Sequence, residues 1–259
     1  MLGRRVIVAI VGIPLIIAII YLGKIPFSLL VALIILLSLV EFYRLIMLLD
    51  IKANMTLGLF FGATMPAAAL FYGLNGMVIW LTAAIFIDLL NSFVSGGKII
   101  SLAATFLGII YIGLFLSYLI LIYKLPSGRL FVVFTLLATW ITDTSAYGVG
   151  RLIGKRPLAV KISPNKTIEG TVGAVIVNMA IFALLKWVPF FNLWQRLLFA
   201  FIISIFSILG DLVESAFKRE AKVKDSGTLI PGHGGFLDRF DSLIFTGVAA
   251  YFFIRLFGG

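Results

Sequence analysis

The amino-acid sequence predicts an all-α, polytopic membrane protein, with about nine transmembrane helices in one domain over residues 1–259. Three observations lead to this fold class. Hydrophobic residues make up 62% of the chain and charged residues only 12%, whereas soluble domains are about 25% charged. The apolar residues form continuous runs of the length that crosses a bilayer. These runs lack the period-two alternation of transmembrane β-strands, which favours helices.

The first candidate span follows Arg4 and Arg5 and resembles a signal peptide at its start. Its length and the absence of a small-residue cleavage pattern near Gly23 favour an uncleaved span. The third and fourth spans are short and are joined by a turn at residues 73–76. In chain order, the candidate spans are 6–22, 26–49, 57–73, 77–94, 99–123, 129–149, 169–188, 194–215 and 240–257.

The distribution of basic residues predicts the orientation of these spans. The N-terminus and every second connection carry 15 of the 21 Lys and Arg residues. Because basic connections stay on the cytoplasmic side, we expect the N-terminus inside, the C-terminus outside and an odd number of spans. The predicted location is the cell inner membrane, with the enlarged basic loops facing the cytoplasm.

Two connections on the basic side, 150–168 and 216–239, together hold 10 of the 21 basic residues. The net charge of +10 is therefore mostly concentrated in two loops beside a lipid bilayer, and no nucleic-acid partner is expected. The chain has no cysteine and one histidine, which excludes disulfides, thiolate metal sites and sites built from several imidazoles. Carboxylates remain as ligands for a hard cation such as magnesium.

Acidic residues gather near the last three spans. Asp211 and Glu214 share one helix face by their i,i+3 spacing, and Asp238 and Asp241 repeat that spacing at the start of the ninth span. Such carboxylates could hold one or two divalent cations, and intramembrane acids are functional candidates. The alternative is a set of helix-end carboxylates that form ion pairs with Lys218, Arg219 and Arg239. Asp143, near the inner end of the sixth span, could complete the cluster, whereas Asp88 and Glu41 are candidates for packing or dimer contacts.

The segment between the two acid pairs, residues 224–235, is rich in glycine and begins with Lys224 and Asp225. Glycine lets backbone N–H groups approach a ligand closely, and successive N–H groups form an anion-binding concavity. The alternative is a plain connector with turn glycines. For His233, phosphate contact, structural capping and proton transfer all remain open.

The other basic loop contains four side chains that could donate hydrogen bonds to phosphate oxygens. They are Ser163, Asn165, Lys166 and Thr167, the last near the start of the seventh helix. An equally good interpretation is a polybasic strip that touches anionic lipid. The segment 148–156 has five residues between Gly148 and Gly154 and no Ser or Thr after Lys155, so it is not a Walker A site.

One stretch of the chain resembles a family signature. It begins with Ser215-Ala216-Phe217-Lys218-Arg219, continues with Lys224-Asp225 and ends with His233-Gly234-Gly235-Phe236-Leu237-Asp238-Arg239-Phe240-Asp241. This pattern is similar to that of the phosphatidate cytidylyltransferases, also called CDP-diacylglycerol synthases, across residues 215–241. The stretch 163–170 resembles a second motif of that family.

The resemblance implies a magnesium-dependent reaction of CTP with phosphatidic acid, which gives CDP-diacylglycerol and pyrophosphate for phospholipid biosynthesis. It makes Asp211 and Asp238 the first expected metal ligands, with Asp241, Glu214 and Asp143 beside them. It also implies that phosphates are held by Lys218, Arg219, Lys224 and Arg239, with Ser163, Asn165 and Lys166 completing the pocket from the other loop. Residues 194–257 carry the signature-bearing helices and loop.

Two other functions stay open from the residues. An ion-coupled transporter would use the buried acids to bind its ion, although it gives no reason for the basic, glycine-rich loop. A related nucleotidyltransferase would act on another lipid phosphate. For an enzyme of either kind, a phosphatidate cytidylyltransferase or a related nucleotidyltransferase, we expect a homodimer formed through helices remote from the signature.

Overall fold

A computed structural model describes residues 2–185, 191–227 and 234–258, and it is helical over most of that length. The helices are α1 (Leu2–Leu22), α2 (Lys24–Met47), α3 (Met55–Ser95), α4 (Ile99–Gly108), α5 (Phe115–Lys124), α6 (Gly128–Ile153), α7 (Ile168–Leu184), α8 (Leu193–Glu220) and α9 (Asp241–Phe257). A π-helical turn, Ile109–Leu114, joins α4 to α5, and a 3₁₀ turn, Leu237–Arg239, precedes α9.

Among the residues that the structure describes, five helices are long and apolar enough to cross a membrane: Lys24–Met47, Met55–Ser95, Ile99–Lys124, Gly128–Ile153 and Leu193–Glu220. The chain is therefore a helical membrane protein, as the sequence predicts. Two shorter apolar helical segments, Gly12–Leu22 and Ile168–Leu184, lie among them. The total of nine spans and the orientation of the termini stay predictions.

Helix α3 reverses direction at Gly73, whose φ of 66° and ψ of −148° are not helical. In a straight helix Phe61 and Trp80 would lie about 28 Å apart, yet their ring centroids are 5.1 Å apart. The two arms of α3 therefore pack side by side, and the turn falls where the sequence predicts one. Lys124 of α5 donates to the carbonyl oxygens of Ala69 (3.2 Å) and Leu70 (2.7 Å), which lie in the last turn before Gly73.

The π-helical turn packs closely against α3. A Cβ added at Gly113 would lie 2.8 Å from the Cα atom of Gly62, so the two backbones meet without side chains between them. Small residues permit such close helix crossings inside a membrane. This crossing fixes the α4–α5 run against the first arm of α3.

The sequence predicts that residues 150–168 form a loop in an all-α protein. The structure corrects this prediction in part, because the segment is not entirely a loop. It contains a two-stranded antiparallel hairpin, β1 (Pro157–Ala159) and β2 (Ser163–Thr167), in which Pro157 pairs with Thr167. Proline within both strands opposes helix formation there. Thr167 then caps α7 by accepting a hydrogen bond from the Gly170 N–H at 3.1 Å.

The boundaries of the second predicted loop, 216–239, also differ from the structure. Helix α8 continues to Glu220, and the 3₁₀ turn occupies the last three residues of the predicted loop. Asp211 and Glu214 therefore lie within a helix, nine and six residues before its last residue, and Asp241 is the first residue of α9.

A buried asparagine connects three helices behind these carboxylates. Asn178 of α7 is fully buried, and its Nδ2 donates to Thr142 Oγ1 of α6 (3.0 Å) and Ser204 Oγ of α8 (2.9 Å). Ser204 and Thr142 also lie within hydrogen-bond distance of each other (3.1 Å). Polar contacts of this kind hold transmembrane helices together.

We expect Asn178→Ala to lower the free energy of unfolding by about 1–2 kcal/mol, because both interhelical donors are lost. Denaturant unfolding in detergent micelles measures this change. Ile176→Ala is the control, since Ile176 is on the same helix and 61% exposed. An equal effect of the two substitutions would contradict the role of Asn178.

Candidate functional site

A cavity of about 400 Å³ opens between α6, the hairpin and α8. It brings together residues that the sequence places in three separate stretches. Its lining includes Asp143, Arg151, Ser163, Asn165, Lys166 and Asp211. Ser163, Asn165 and Lys166 of the hairpin therefore lie in one cavity with the acids of α6 and α8.

Two of the acids in this cavity are held by neighbouring side chains. Lys166 Nζ forms an ion pair with Asp211 Oδ2, and Ser215 donates to Asp211 Oδ1 (3.3 Å). Asp143 Oδ1 accepts hydrogen bonds from Ser207 (2.7 Å) and Ser242 (3.3 Å). The carboxylates are thus oriented by α8 and α9 as well as by the hairpin.

A second cluster, which we call the Lys218 cluster, consists of Lys218, Glu214 and Asp238. Lys218 Nζ lies 2.5 Å from Glu214 Oε2 and 2.6 Å from Asp238 Oδ1. Glu214 is fully buried and Lys218 is 9% exposed. One ammonium group therefore bridges two carboxylates, as the ion-pair alternative predicts for these residues.

The second oxygen of Asp238 binds the backbone at both ends of residues 226–237, which we call the signature segment. Asp238 Oδ2 accepts from the N–H groups of Gly235 (2.7 Å) and Ser226 (3.2 Å). Burial raises the pKa of the Asp238 carboxyl, but the Lys218 ammonium group and the Gly235 N–H donor favour the ionised form, and the pKa lies below its usual value. Asp238 is therefore an ionised anchor for both ends of the glycine-rich stretch.

Arg219 connects the two basic loops. Its Nε donates to the Ile162 carbonyl oxygen at the tip of the hairpin (3.0 Å), and its Nη1 donates to the Val223 carbonyl oxygen (3.2 Å). At the other end of the hairpin, Glu169 accepts from the N–H groups of Lys155 (3.0 Å) and Arg156 (3.1 Å). The cavity wall that carries Ser163 and Lys166 is thus fixed at both ends.

The remaining predicted residues lie around this site. Lys224, Asp225 and Arg239 are exposed to solvent. Their contacts with substrate stay predictions. Asp225 lies close to Asp238, because a Cβ added at Gly234 would be 3.0 Å from Asp238 Oδ2 and 3.4 Å from Asp225 Oδ1. His233 falls outside the described residues.

Ser242 links Asp241 to Asp143, because its N–H donates to Asp241 Oδ1 (2.7 Å) and its hydroxyl donates to Asp143 Oδ1 (3.3 Å). Asp241 is 8% exposed where α9 packs on α8. Gly210 permits this contact, since a Cβ there would lie 2.6 Å from the Asp241 carbonyl oxygen. Three carboxylates therefore lie near one another, and Lys166 is the cation paired with one of them. Their oxygen donors and their excess negative charge fit magnesium chemically.

The positions of the acids set a limit on this fit. Within the described residues, no three acidic or histidine side chains are grouped closely enough to hold a metal ion. Both Asp238 oxygens are engaged by N–H donors. The donor chemistry thus fits better at Asp143, Asp211 and Asp241 than in the Lys218 cluster.

Two residues were assigned to packing or dimer contacts from the sequence. Glu41 and Asp88 are 0% and 1% exposed, so neither lies on a dimer surface. Asp88 accepts from Asn54 Nδ2 at 3.4 Å. Glu41 contacts the signature segment, a contact that the sequence does not predict. A lone acid in an otherwise apolar span is the signal that could have pointed to Glu41.

Fold and site together define a helical membrane protein that places a basic hairpin and a carboxylate cluster around one polar cavity. The chain belongs to the cytidylyltransferase family, whose sequence pattern it matches over residues 3–257. This match covers nearly the whole chain, including every element of the site.

Curated relatives agree with this family. The chain is 52% identical over 121 residues to a phosphatidate cytidylyltransferase of Staphylococcus haemolyticus, an alignment that covers 46% of each chain. It is 44% identical over 155 residues to one of Bacillus subtilis, covering 58% of this chain and 57% of the relative. A Staphylococcus epidermidis phosphatidate cytidylyltransferase is 42% identical over 170 residues, 64% of each chain. In these alignments the chain spans about half to two thirds of its relatives' length.

Proposed function

We propose that this protein transfers the cytidylyl group of CTP to phosphatidic acid, giving CDP-diacylglycerol and pyrophosphate. The observation that carries the proposal is the cavity in which Ser163, Asn165 and Lys166 of the hairpin face Asp143 and Asp211. The names of the relatives and the family support the substrates. Family membership also favours this enzyme over an ion-coupled transporter.

In the proposed reaction, a phosphate oxygen of phosphatidic acid attacks the α-phosphorus of CTP. The new oxygen–phosphorus bond forms as the bond to the β-phosphate breaks, and pyrophosphate leaves with the electron pair. The lipid phosphate is already an anionic nucleophile near neutral pH, so no strong base is required. The main task of the protein is to place two mutually repelling phosphates in line.

The residues of the cavity fit this task. Lys166 supplies positive charge at the hairpin, while Ser163 and Asn165 supply hydrogen-bond donors to phosphate oxygens. Lys218 is not among the residues that line the cavity, and we propose that it supplies charge from within α8. We place Arg219 as a support of the hairpin and propose Lys224 and Arg239 as exposed contacts for the outer phosphates.

We propose Mg²⁺ as the cofactor, bound by Asp211 and by one of its neighbours Asp143 and Asp241, together with substrate phosphates. When bound, the ion would offset the negative charge that develops on the transferring phosphoryl group. Before it binds, Lys166 holds Asp211 through the ion pair described above. The proposal covers either one or two Mg²⁺ ions, because the three carboxylates offer enough oxygen donors for both cases.

We further propose that the protein lies in the cell inner membrane as a homodimer, with the cavity facing the cytoplasm. The five long apolar helices support the membrane setting. The 15 of 21 basic residues on one side support the orientation.

The purified protein in mixed micelles is expected to release pyrophosphate only when CTP, phosphatidic acid and Mg²⁺ are all present. A panel of nucleotides and lipid phosphates, with pyrophosphate as the readout, tests this expectation. Chelation of Mg²⁺ serves as the matched control. Faster turnover of another lipid phosphate would move the assignment to a related nucleotidyltransferase, and ion flux in liposomes without CTP would favour a transporter.

A further inference from the structure

We propose that Glu41 of α2 is a positioning residue for the reaction: it fixes the two ends of the signature segment and thereby holds Asp238 in place. This inference rests on the proposed function and adds a residue from the N-terminal half of the chain. The two ends are Ser226–Gly227 and Gly235–Leu237.

The Glu41 carboxylate joins these two ends directly. Its Oε2 atom accepts a hydrogen bond from Ser226 Oγ (2.9 Å) and another from the Leu237 N–H (2.8 Å). All three residues are buried: Glu41 and Leu237 are 0% exposed and Ser226 is 4% exposed. One oxygen atom of α2 therefore receives a donor from each end of the segment.

Two signature glycines make room for this carboxylate. A Cβ added at Gly227 would lie 2.4 Å from Glu41 Oε1, and one at Gly235 would lie 2.6 Å from Glu41 Oε2 and 1.8 Å from Ser226 Oγ. These distances are too short for any side chain. Gly227 and Gly235 therefore let the backbone approach the Glu41 carboxylate closely, in addition to any approach of that backbone to a phosphate.

The same two ends carry the hydrogen bonds that hold Asp238. Ser226 and Gly235 donate their N–H groups to Asp238 Oδ2, while the Ser226 hydroxyl donates to Glu41. Leu237, which donates to Glu41, directly precedes Asp238. Asp238 and Glu41 thus both accept hydrogen bonds from the two ends of the signature segment. Without Glu41, the Ser226 and Gly235 N–H groups that donate to Asp238 are held less firmly in place.

The surroundings of Glu41 favour a positioning role over substrate contact. It forms no ion pair among the described residues, and its Oε1 atom has no hydrogen-bond partner there. Burying a carboxylate is unfavourable unless donors compensate for lost water. The donors of Ser226 and Leu237 provide that compensation, and they exist only when the segment ends are in place.

The test uses the full chain in detergent and compares Glu41→Ala with Glu41→Gln. Ser38→Ala is the matched control, because Ser38 is also on α2, is 0% exposed and has a hydroxyl with no hydrogen-bond partner among the described residues. The readouts are amide hydrogen exchange in peptides covering 220–240, and kcat and KM for both substrates.

Glu41→Ala is expected to speed exchange at the Leu237 amide and to lower kcat, each by about 10- to 100-fold. Glu41→Gln keeps an acceptor oxygen and is expected to recover most of both properties, while Ser38→Ala should match the wild type. Wild-type exchange and kcat in Glu41→Ala would overturn the proposal, as would a Glu41→Gln variant that loses as much as Glu41→Ala.

If Glu41→Ala does not yield folded protein, Ser226→Ala removes one donor and should speed exchange at Gly235 and Leu237 to a smaller degree. Unchanged exchange there would again overturn the proposal. The exchange readout needs no substrate, so it separates the two hypotheses. Absence of CTP turnover in the wild-type protein would contradict the proposed function. The difference in amide exchange between the wild type and Glu41→Ala would still test the positioning role of Glu41.

Discussion

Lys218→Met is expected to lower kcat by about 10³-fold and to destabilise the protein. Lys218 Nζ bridges Glu214 and Asp238 at 2.5 and 2.6 Å, and Glu214 is fully buried. Without the ammonium group, two carboxylates would face each other in a region of low dielectric constant. Breaking a buried ion pair in this way costs about 3–5 kcal/mol. Steady-state kinetics and thermal unfolding in detergent measure the two effects.

A second substitution separates the structural role of Lys218 from its proposed role toward phosphate. Glu214→Gln removes one of the two negative charges with little change of shape, so the Lys218→Met/Glu214→Gln double variant should regain most of the lost stability. Its turnover should stay low, because no cation replaces Lys218 near the phosphates. Recovery of both stability and turnover in the double variant would show that Lys218 acts only as an ion-pair partner.

Much of the membrane architecture follows from local properties of the sequence. Apolar runs predict where long helices lie, because crossing a bilayer demands length and hydrophobicity within one segment. The turn at Gly73 was predictable for the same local reason, since a glycine-bounded break interrupts an apolar run. The hairpin at Pro157–Thr167 was not predicted, because three- and five-residue strands are too short to give a clear alternation.

The site divides in a similar way. Lys166 and Asp211 were both candidates by residue type and by resemblance, and the structure pairs them. The sharing of Lys218 between Glu214 and Asp238 could be foreseen only as an alternative, because spacing along a helix does not decide between a metal and an ammonium group. Glu41 contacts a residue 185 positions away. Its place as a lone acid in an apolar span marks it as unusual, but a single sequence does not show which distant residue it contacts.

Asp211→Asn is expected to lower kcat/KM for CTP by about 10²- to 10³-fold and to raise the Mg²⁺ concentration needed for half-maximal rate. Asp211 is the acid of α8 that lines the cavity, and it is 34% exposed in its side chain. Asparagine keeps the size and one acceptor oxygen of the side chain. It removes the charge that attracts both Lys166 and a divalent cation.

Glu220→Gln is the matched control for Asp211→Asn. Glu220 is an exposed acid on the same helix, forms no ion pair among the described residues and does not line the cavity. If the loss in Asp211→Asn arose from net charge at the membrane surface, both variants would lose turnover alike. A metal role requires that Asp211→Asn alone shifts the Mg²⁺ dependence. A near-normal rate with an unchanged Mg²⁺ dependence in Asp211→Asn would remove this residue from the metal site and leave Lys166 as its partner.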